Sequence, residues 1–166
     1  MKLPFGLALA VTLALSPLAR AQLDEPHKML GRGVGAVVDG DYKKAEPLLR
    51  DSLRMDPLMA EGHYNLAVVL RDTGRFDEAV NEYRTALGLF QQYGAADGEN
   101  GVSRCLYGIA LSEESGGNAA QAASAWNEYL KWAKRFSPEK PAAEIAQRHL
   151  IMERREIEAR RPTNVR

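Results

Sequence analysis

One motif occurs twice in the chain at a fixed spacing, which limits the folds that the chain can adopt. Residues 40–45 (GDYKKA) return as residues 74–79 (GRFDEA), 34 positions later. A unit that recurs at a fixed period and cannot bury its apolar face alone must stack on neighbouring units. The spacing therefore predicts an elongated array, whose long surface is suited to contacts with other proteins.

The clearest unit spans residues 60–93. Its apolar side chains recur at steps of three and four residues, which places them on one face of each of two successive helices. The turn between the helices contains Gly74, and glycine tolerates the positive φ that commonly ends a helix. Ala67 and Ala79 are predicted to face each other, because small side chains let two helices approach closely.

This unit resembles a tetratricopeptide repeat, a helical hairpin of about 34 residues. The resemblance is carried by His63, Leu66, Ala67, Leu70, Ala79, Tyr83 and Ala86. Gln91 replaces the usual closing proline, so the second helix is expected to continue to Tyr93. The preceding segment, residues 26–59, fits the same pattern, although its first helix contains three glycines. The resemblance implies an all-α solenoid with a right-handed curvature.

A third and degenerate copy is predicted over residues 102–136. Its first helix is aligned through Gly108, taken as the counterpart of Ala67, and the turn before Ala122 is assigned two extra residues. Residues 92–101 contain three glycines and are predicted to form a loop. Beyond the three hairpins we expect a capping helix over 141–160 and a disordered tail over 162–166. The inward stripe of the capping helix is predicted to contain Ala142, Ile145, His149 and Met152.

The amino terminus has the features of a secretory signal peptide over residues 1–21. A charged start precedes an apolar stretch over residues 3–18, and Ala19-Arg20-Ala21 suits a cleavage site. The apolar stretch is shorter than the roughly 20 residues that a spanning helix needs. We therefore expect cleavage after Ala21 and a periplasmic or secreted protein that has no stable membrane insertion. Retention of the segment as an anchor is the alternative.

Charge and chemistry-bearing residues exclude several function classes. The chain has 22 basic and 22 acidic residues, and cleavage would remove Lys2 and Arg20, leaving a net charge of −2. This balance gives no reason to expect a nucleic-acid partner. A single cysteine, Cys105, cannot form an intramolecular disulfide, and we expect it to be buried. The three histidines match no metal-binding or catalytic motif, so no enzyme activity, metal or cofactor is expected.

The resemblance implies that the first helix of each hairpin lines a concave groove. The residues predicted to line it are Leu30, Val34, Val37, Tyr64, Val68, Arg71, Asp72, Ile109, Ser112 and Glu113. Because this set is mildly apolar, the groove is expected to bind an extended segment or a helix by apolar contact, with Arg71 donating a hydrogen bond. Alternatively, Leu30, Val34 and Val37 pack against residues 23–26 and bind no ligand.

The expected function is a protein-binding adaptor or scaffold of the bacterial cell envelope, whose partner the sequence does not name. A second hypothesis is a module that binds a small ligand or a cell-wall fragment, in which residues 92–101 fold over the groove.

Overall fold

In a computed structural model of the protein, residues 17–93, 98–136 and 141–160 are described. They form seven α-helices and no strand, which confirms the all-α prediction. The helices are α1 (Pro17–Val38), α2 (Tyr42–Met55), α3 (Ala60–Asp72), α4 (Phe76–Tyr93), α5 (Gly98–Ser115), α6 (Ala119–Phe136) and α7 (Pro141–Ala159).

Three tight turns join these helices into hairpins. Gly40, Gly74 and Gly117 adopt φ angles of 73°, 81° and 76°, in the left-handed region that glycine tolerates best. The residue after each glycine donates its backbone N–H to the carbonyl five residues earlier, at 2.8–2.9 Å. The three turns therefore have the same length, and they set one register for all three hairpins.

Small residues lie where the two helices of each hairpin cross. The residue seven positions before each turn glycine is small: it is Gly33, Ala67 or Ala110. Both alanines are fully buried. A Cβ built on Gly33 would lie 2.8 Å from Leu49 Cδ2, so even a methyl group would be crowded there. The core formed at these crossings is continuous from Ala36 in α1 to Leu150 in α7.

The stack bends toward the first helices of the hairpins. Each helix packs on the next along the chain, and α3 also contacts α1 and α5. Within the described residues the backbones of α2, α4 and α6 make no corresponding contacts. Helices α1, α3 and α5 consequently lie on the inner side of the stack, as the resemblance implied.

The third hairpin differs from its predicted alignment by two residues. Its turn has no extra length, and Ala110 rather than Gly108 takes the position of Ala67. Gly108 instead faces the preceding hairpin, where a Cβ would lie 2.5 Å from Tyr83 Cζ. Both residues are small, but they serve two different helix contacts.

The segment between α4 and α5 is more helical than predicted. α4 continues to Tyr93, as expected from the missing proline, but α5 already begins at Gly98. Gly101 belongs to α5 because its lack of a side chain lets the helix pack on the Phe90 ring, which a Cβ would approach to 2.6 Å. The predicted loop over 92–101 is therefore wrong at both ends, and residues 94–97 lie outside the described residues.

The inward face of α7 is also rotated by about one residue from the prediction. Ala146, Leu150 and Glu153 are buried, whereas Met152 is 60% exposed. The reason is a tertiary contact, since His149 stacks on Trp126 of α6 and thereby fixes the rotation of the helix.

Parts of the predicted ends lie outside the described residues, namely residues 1–16 of the signal peptide and the tail over 162–166. The predicted cleavage site after Ala21 falls within α1. Across the described ranges, no helix combines the length and apolar character needed to cross a membrane.

Candidate functional site

The first helices of the three hairpins present an equivalent, mostly half-buried face. In α3 this face consists of Glu61, Tyr64, Val68 and Arg71, at steps of three and four residues. The buried face of the same helix contains Leu66, Ala67, Val69 and Leu70. We call this surface the inner face, and it includes the equivalent residues His27, Leu30, Val34 and Val37 of α1 and Arg104, Tyr107, Leu111 and Glu114 of α5.

Most of the predicted groove residues lie on the inner face or beside it. Leu30, Val34, Val37, Tyr64, Val68 and Arg71 belong to it, and Asp72 follows at the end of α3. Residues 23–26 continue α1, so they do not fold back over its inner face.

The predicted placement of Ile109, Ser112 and Glu113 on this face is wrong. Their exposed fractions are only 6%, 0% and 6%. Ile109 and Glu113 instead line a depression of about 200 Å³ between α4 and α6. The spacing of Gly117 and Ala122, which equals that of Gly74 and Ala79, would have revealed the two-residue error.

Arg71 is held by a hydrogen-bond network that joins α2, α3 and α4. Its guanidinium donates to Asp72 Oδ1 at 2.8 Å and to the Tyr83 hydroxyl at 3.3 Å. Tyr42 donates its hydroxyl to Asp72 Oδ2 at 2.8 Å, and this hydrogen bond raises the pKa of Tyr42 above its usual value. The Arg71 side chain is only 25% exposed, so most of its hydrogen-bonding capacity serves the fold.

Arg104, which the sequence analysis did not single out, connects the second and third hairpins. Its guanidinium lies 4.4 Å from the centroid of the Tyr64 ring and donates to Glu61. A cation over an aromatic face contributes about 0.5–1 kcal/mol at exposed sites and more when desolvated. Glu61 and Arg104 occupy equivalent positions of α3 and α5, 43 residues apart. An alignment with the correct register would therefore have predicted that both lie on the inner face.

An apolar pocket of about 300 Å³ adjoins the inner face near the start of α3. Three inner-face residues, His27, Leu30 and Glu61, form part of its wall. The rest of the lining is supplied by Leu58, Met59, Ala60, Leu89 and Phe90.

Two side chains of reactive type, His63 and Cys105, are held within the fold. His63 Nδ1 lies 2.6 Å from Glu82 Oε2, and Nε2 lies 3.0 Å from the Pro57 carbonyl oxygen. Burial is the largest single effect and lowers the pKa of His63, but the two hydrogen bonds and the charge of Glu82 together outweigh it, so the pKa is raised. Cys105 is fully buried, which raises the pKa of its thiol to about 12 and makes the thiol unreactive. In the described part of the chain, no group of three or more metal-ligating side chains is arranged to hold an ion.

This architecture defines an α-solenoid of helical hairpins with a mildly apolar inner face. Residues 30–94, from the middle of α1 to the end of α4, match a family model of the tetratricopeptide repeat. This match supports the assignment of the segment to the tetratricopeptide repeat family, on the same two hairpins that carry the 34-residue spacing. No curated protein matches the chain.

Solved structures, two of them TPR domains, share the fold over most of the chain. The type III secretion translocator chaperone SycD of Yersinia enterocolitica aligns with a TM-score of 0.68 at 14% identity, covering 86% of this chain and 96% of its own. The Arabidopsis OM64 TPR domain aligns with a TM-score of 0.63 at 17% identity, covering 79% and 98%. The TPR2B domain of yeast Sti1, in its pHsp70 complex, aligns with a TM-score of 0.64 at 15% identity, covering 80% and 98%. At these identities the likeness shows the fold alone.

Proposed function

We propose that the protein is an adaptor of the bacterial cell envelope that binds an apolar segment of a partner protein on its inner face. The observation that carries this proposal is a run of partly exposed apolar and aromatic side chains at equivalent positions of α1, α3 and α5. These side chains are Leu30, Val34, Val37, Tyr64, Val68, Tyr107 and Leu111.

The charges on the inner face favour an apolar rather than a charged ligand. Arg104 pairs with Glu61, and Arg71 with Asp72. A charged group of a ligand would have to displace one of these partners, at a desolvation cost. An apolar segment would instead gain about 25 cal/mol for each Å² of apolar surface removed from water. The backbone of a helix has no free edge for strand addition, so contact would be made through side chains.

The amino-terminal sequence supports an envelope location, because residues 1–21 have the composition of a secretory signal peptide. The fold supports a protein partner, since proteins that share it include a translocator chaperone and a domain in a pHsp70 complex. We propose no catalytic role and no nucleic-acid partner. The chain carries 22 basic and 22 acidic residues, and this balance gives no reason to expect a nucleic-acid partner.

The proposal is tested by crosslinking a tagged protein in intact cells and identifying what is recovered. A double variant, Val34→Ser with Val68→Ser, makes the inner face more polar, and Met55→Ser is the matched control because Met55 is 54% exposed on α2. We expect the wild type and the control to recover the same partner, and the double variant to lose it while retaining its helical circular dichroism. Recovery of the same partner by all three proteins would refute binding by the inner face.

Two further measurements separate the parts of the proposal. Cell fractionation with and without residues 1–21 tests the envelope location, and an unchanged distribution would contradict it. A thermal-shift screen with cell-wall fragments tests the small-ligand hypothesis. A rise in melting temperature that the double variant reduces, together with no protein recovered by crosslinking, would favour that hypothesis over the adaptor.

A further inference from the structure

Four side chains form a cluster where α7 meets the last hairpin. His149 of α7 stacks on Trp126 of α6, with ring centroids 4.2 Å apart and planes inclined by 14°. Glu114 of α5 accepts a hydrogen bond from Trp126 Nε1 at 3.0 Å, and its Oε2 lies 2.8 Å from His149 Nδ1. One carboxylate therefore ties all three helices together.

The fourth member of the cluster, Glu153, is buried one turn further along α7. Its exposed fraction is 3%, and its Oε2 has no hydrogen-bond partner among the described residues. A buried carboxylate without a full set of partners is costly to keep ionised. The neutral form has no net charge and supplies an O–H donor, so burial at this position favours it.

On balance, the charged groups around Glu153 also favour its neutral form. Glu114 faces it from α5, Glu156 lies on its own helix, and both carboxylates oppose its ionisation. His149 and Arg160 on α7 favour ionisation, and no charged group of α6 contributes among the described residues. Burial, followed by the two neighbouring carboxylates, raises the pKa of Glu153 above its usual range.

We propose that the docking of α7 onto α5 and α6 is linked to protonation of Glu153. The docked helix is stabilised when Glu153 is neutral, and it loosens when the carboxyl releases its proton to solvent and leaves a charge beside Glu114.

The direction of the pH effect follows from the raised pKa. The contribution of Glu153 to docking is fully present below its unfolded pKa of about 4.3, and it is lost as the pH rises through the folded pKa. Between these two values docking is coupled to proton uptake by Glu153, so the docking constant falls as the pH rises, by at most about tenfold for each pH unit. Acidification therefore tightens α7, in contrast to the usual effect of acid on a folded protein.

Release of α7 would change one end of the inner face. Glu114 belongs to that face and would lose its contact with His149, and Trp126, which is fully buried in the docked state, would become accessible. A rise in pH would thus release α7 and leave the Glu114 carboxylate without His149 at this end of the inner face.

Hydrogen–deuterium exchange of the purified protein across a pH series tests the proposal. After correction for intrinsic exchange rates, we expect the opening constant of α7 to rise with pH in the wild type, by up to about tenfold per unit. Glu153→Gln should abolish that rise. Glu158→Gln, an exposed acid on the same helix, should retain it, because it makes the same charge change away from the cluster.

A wild-type α7 whose opening constant does not change with pH would overturn the proposal, as would a Glu153→Gln protein that keeps the full dependence. If Glu153→Gln does not fold, Glu153→Met supplies a side chain of similar length that cannot titrate and has no unpaired oxygen. Acrylamide quenching of Trp126, measured in a Trp132→Phe background, gives an independent measure of docking, and it should show the same loss of pH dependence.

Discussion

Gly108 offers a direct test of how α5 packs on the preceding hairpin. A Cβ at this position would lie 2.5 Å from Cζ and 2.6 Å from Cε1 of Tyr83, distances that real packing does not tolerate. The ring cannot easily move away, because it is fully buried, lies 5.7 Å from the Tyr64 ring and is hydrogen bonded to Arg71. Gly108→Ala should therefore strain the contact between the second and third hairpins.

The expected magnitude follows from two opposing effects. Alanine is favoured over glycine within a helix by about 0.5–1 kcal/mol, whereas overpacking costs about 1–3 kcal/mol. Gly88→Ala in α4 is the matched control, because Gly88 is exposed and its Cβ would meet nothing within 4 Å. The two variants share the propensity gain, so the free energy of unfolding should be lower in Gly108→Ala than in Gly88→Ala by about 1–3 kcal/mol.

Urea and thermal unfolding followed by far-ultraviolet circular dichroism measure this difference, and each kcal/mol corresponds to about 2–4 °C in melting temperature for a chain of this size. Combining Tyr83→Leu with Gly108→Ala should remove most of the cost specific to Gly108→Ala, since the smaller side chain leaves room for the new methyl group. If Gly108→Ala melts at or above Gly88→Ala, the close approach of α5 to Tyr83 is wrong.

Three other outcomes follow from the same packing and charge pattern. Ala79 is fully buried, so Ala79→Leu should lower the free energy of unfolding by about 1–3 kcal/mol, and an unchanged urea midpoint would contradict the hairpin register. Cys105 should resist a thiol reagent in the native protein and react fully when unfolded; rapid native labelling would show that it is not buried. Burial is the largest single effect on Glu46 and raises its pKa, but the hydrogen bonds and charges of Arg75 and Arg50 together outweigh it, so the pKa is lowered. Its contribution to stability is therefore present above about pH 4.3 and is lost as the pH falls, so Glu46→Gln should flatten the loss of stability in acid, as measured by urea midpoints across pH.

The second hairpin was predictable because its features are local. A turn glycine, small residues at fixed distances from it and three- and four-residue apolar steps are all visible in the sequence around Gly74. The third hairpin was misaligned because Gly108 and Ala110 are both small, and only the shared turn geometry shows which one lies at the crossing. Because of this error, three residues predicted on the inner face are buried in the structure, and Arg104 was not predicted to lie on that face.

The rotation of α7 could not be predicted from periodicity, because it depends on a contact between distant parts of the chain. An apolar stripe containing Met152 suits a helix considered alone. The stacking of His149 on Trp126 selects a different face, on which Glu153 is buried and Met152 is exposed. A glutamate is not expected at a buried position from its residue type. The burial of Glu153 therefore follows from the neighbours that it meets in the folded protein.

Two large aromatic side chains, Tyr83 and Trp126, connect the core to the inner face. They occupy equivalent positions of α4 and α6. Tyr83 lies between α3 and α5, and Trp126 lies between α5 and α7. The polar atom of each ring reaches an equivalent inner-face residue, since Arg71 donates to the Tyr83 hydroxyl and Glu114 accepts from the Trp126 indole.

The type of buried aromatic residue thus matches the charge of its inner-face partner, with Tyr83 beside the cation Arg71 and Trp126 beside the anion Glu114. A phenol hydroxyl can accept a hydrogen bond from a guanidinium, whereas an indole N–H can only donate and so suits a carboxylate. Substitutions at these buried positions should therefore alter the charge pattern of the inner face even where they leave the helical stack intact. These two core residues therefore help to position Arg71 and Glu114 on the inner face.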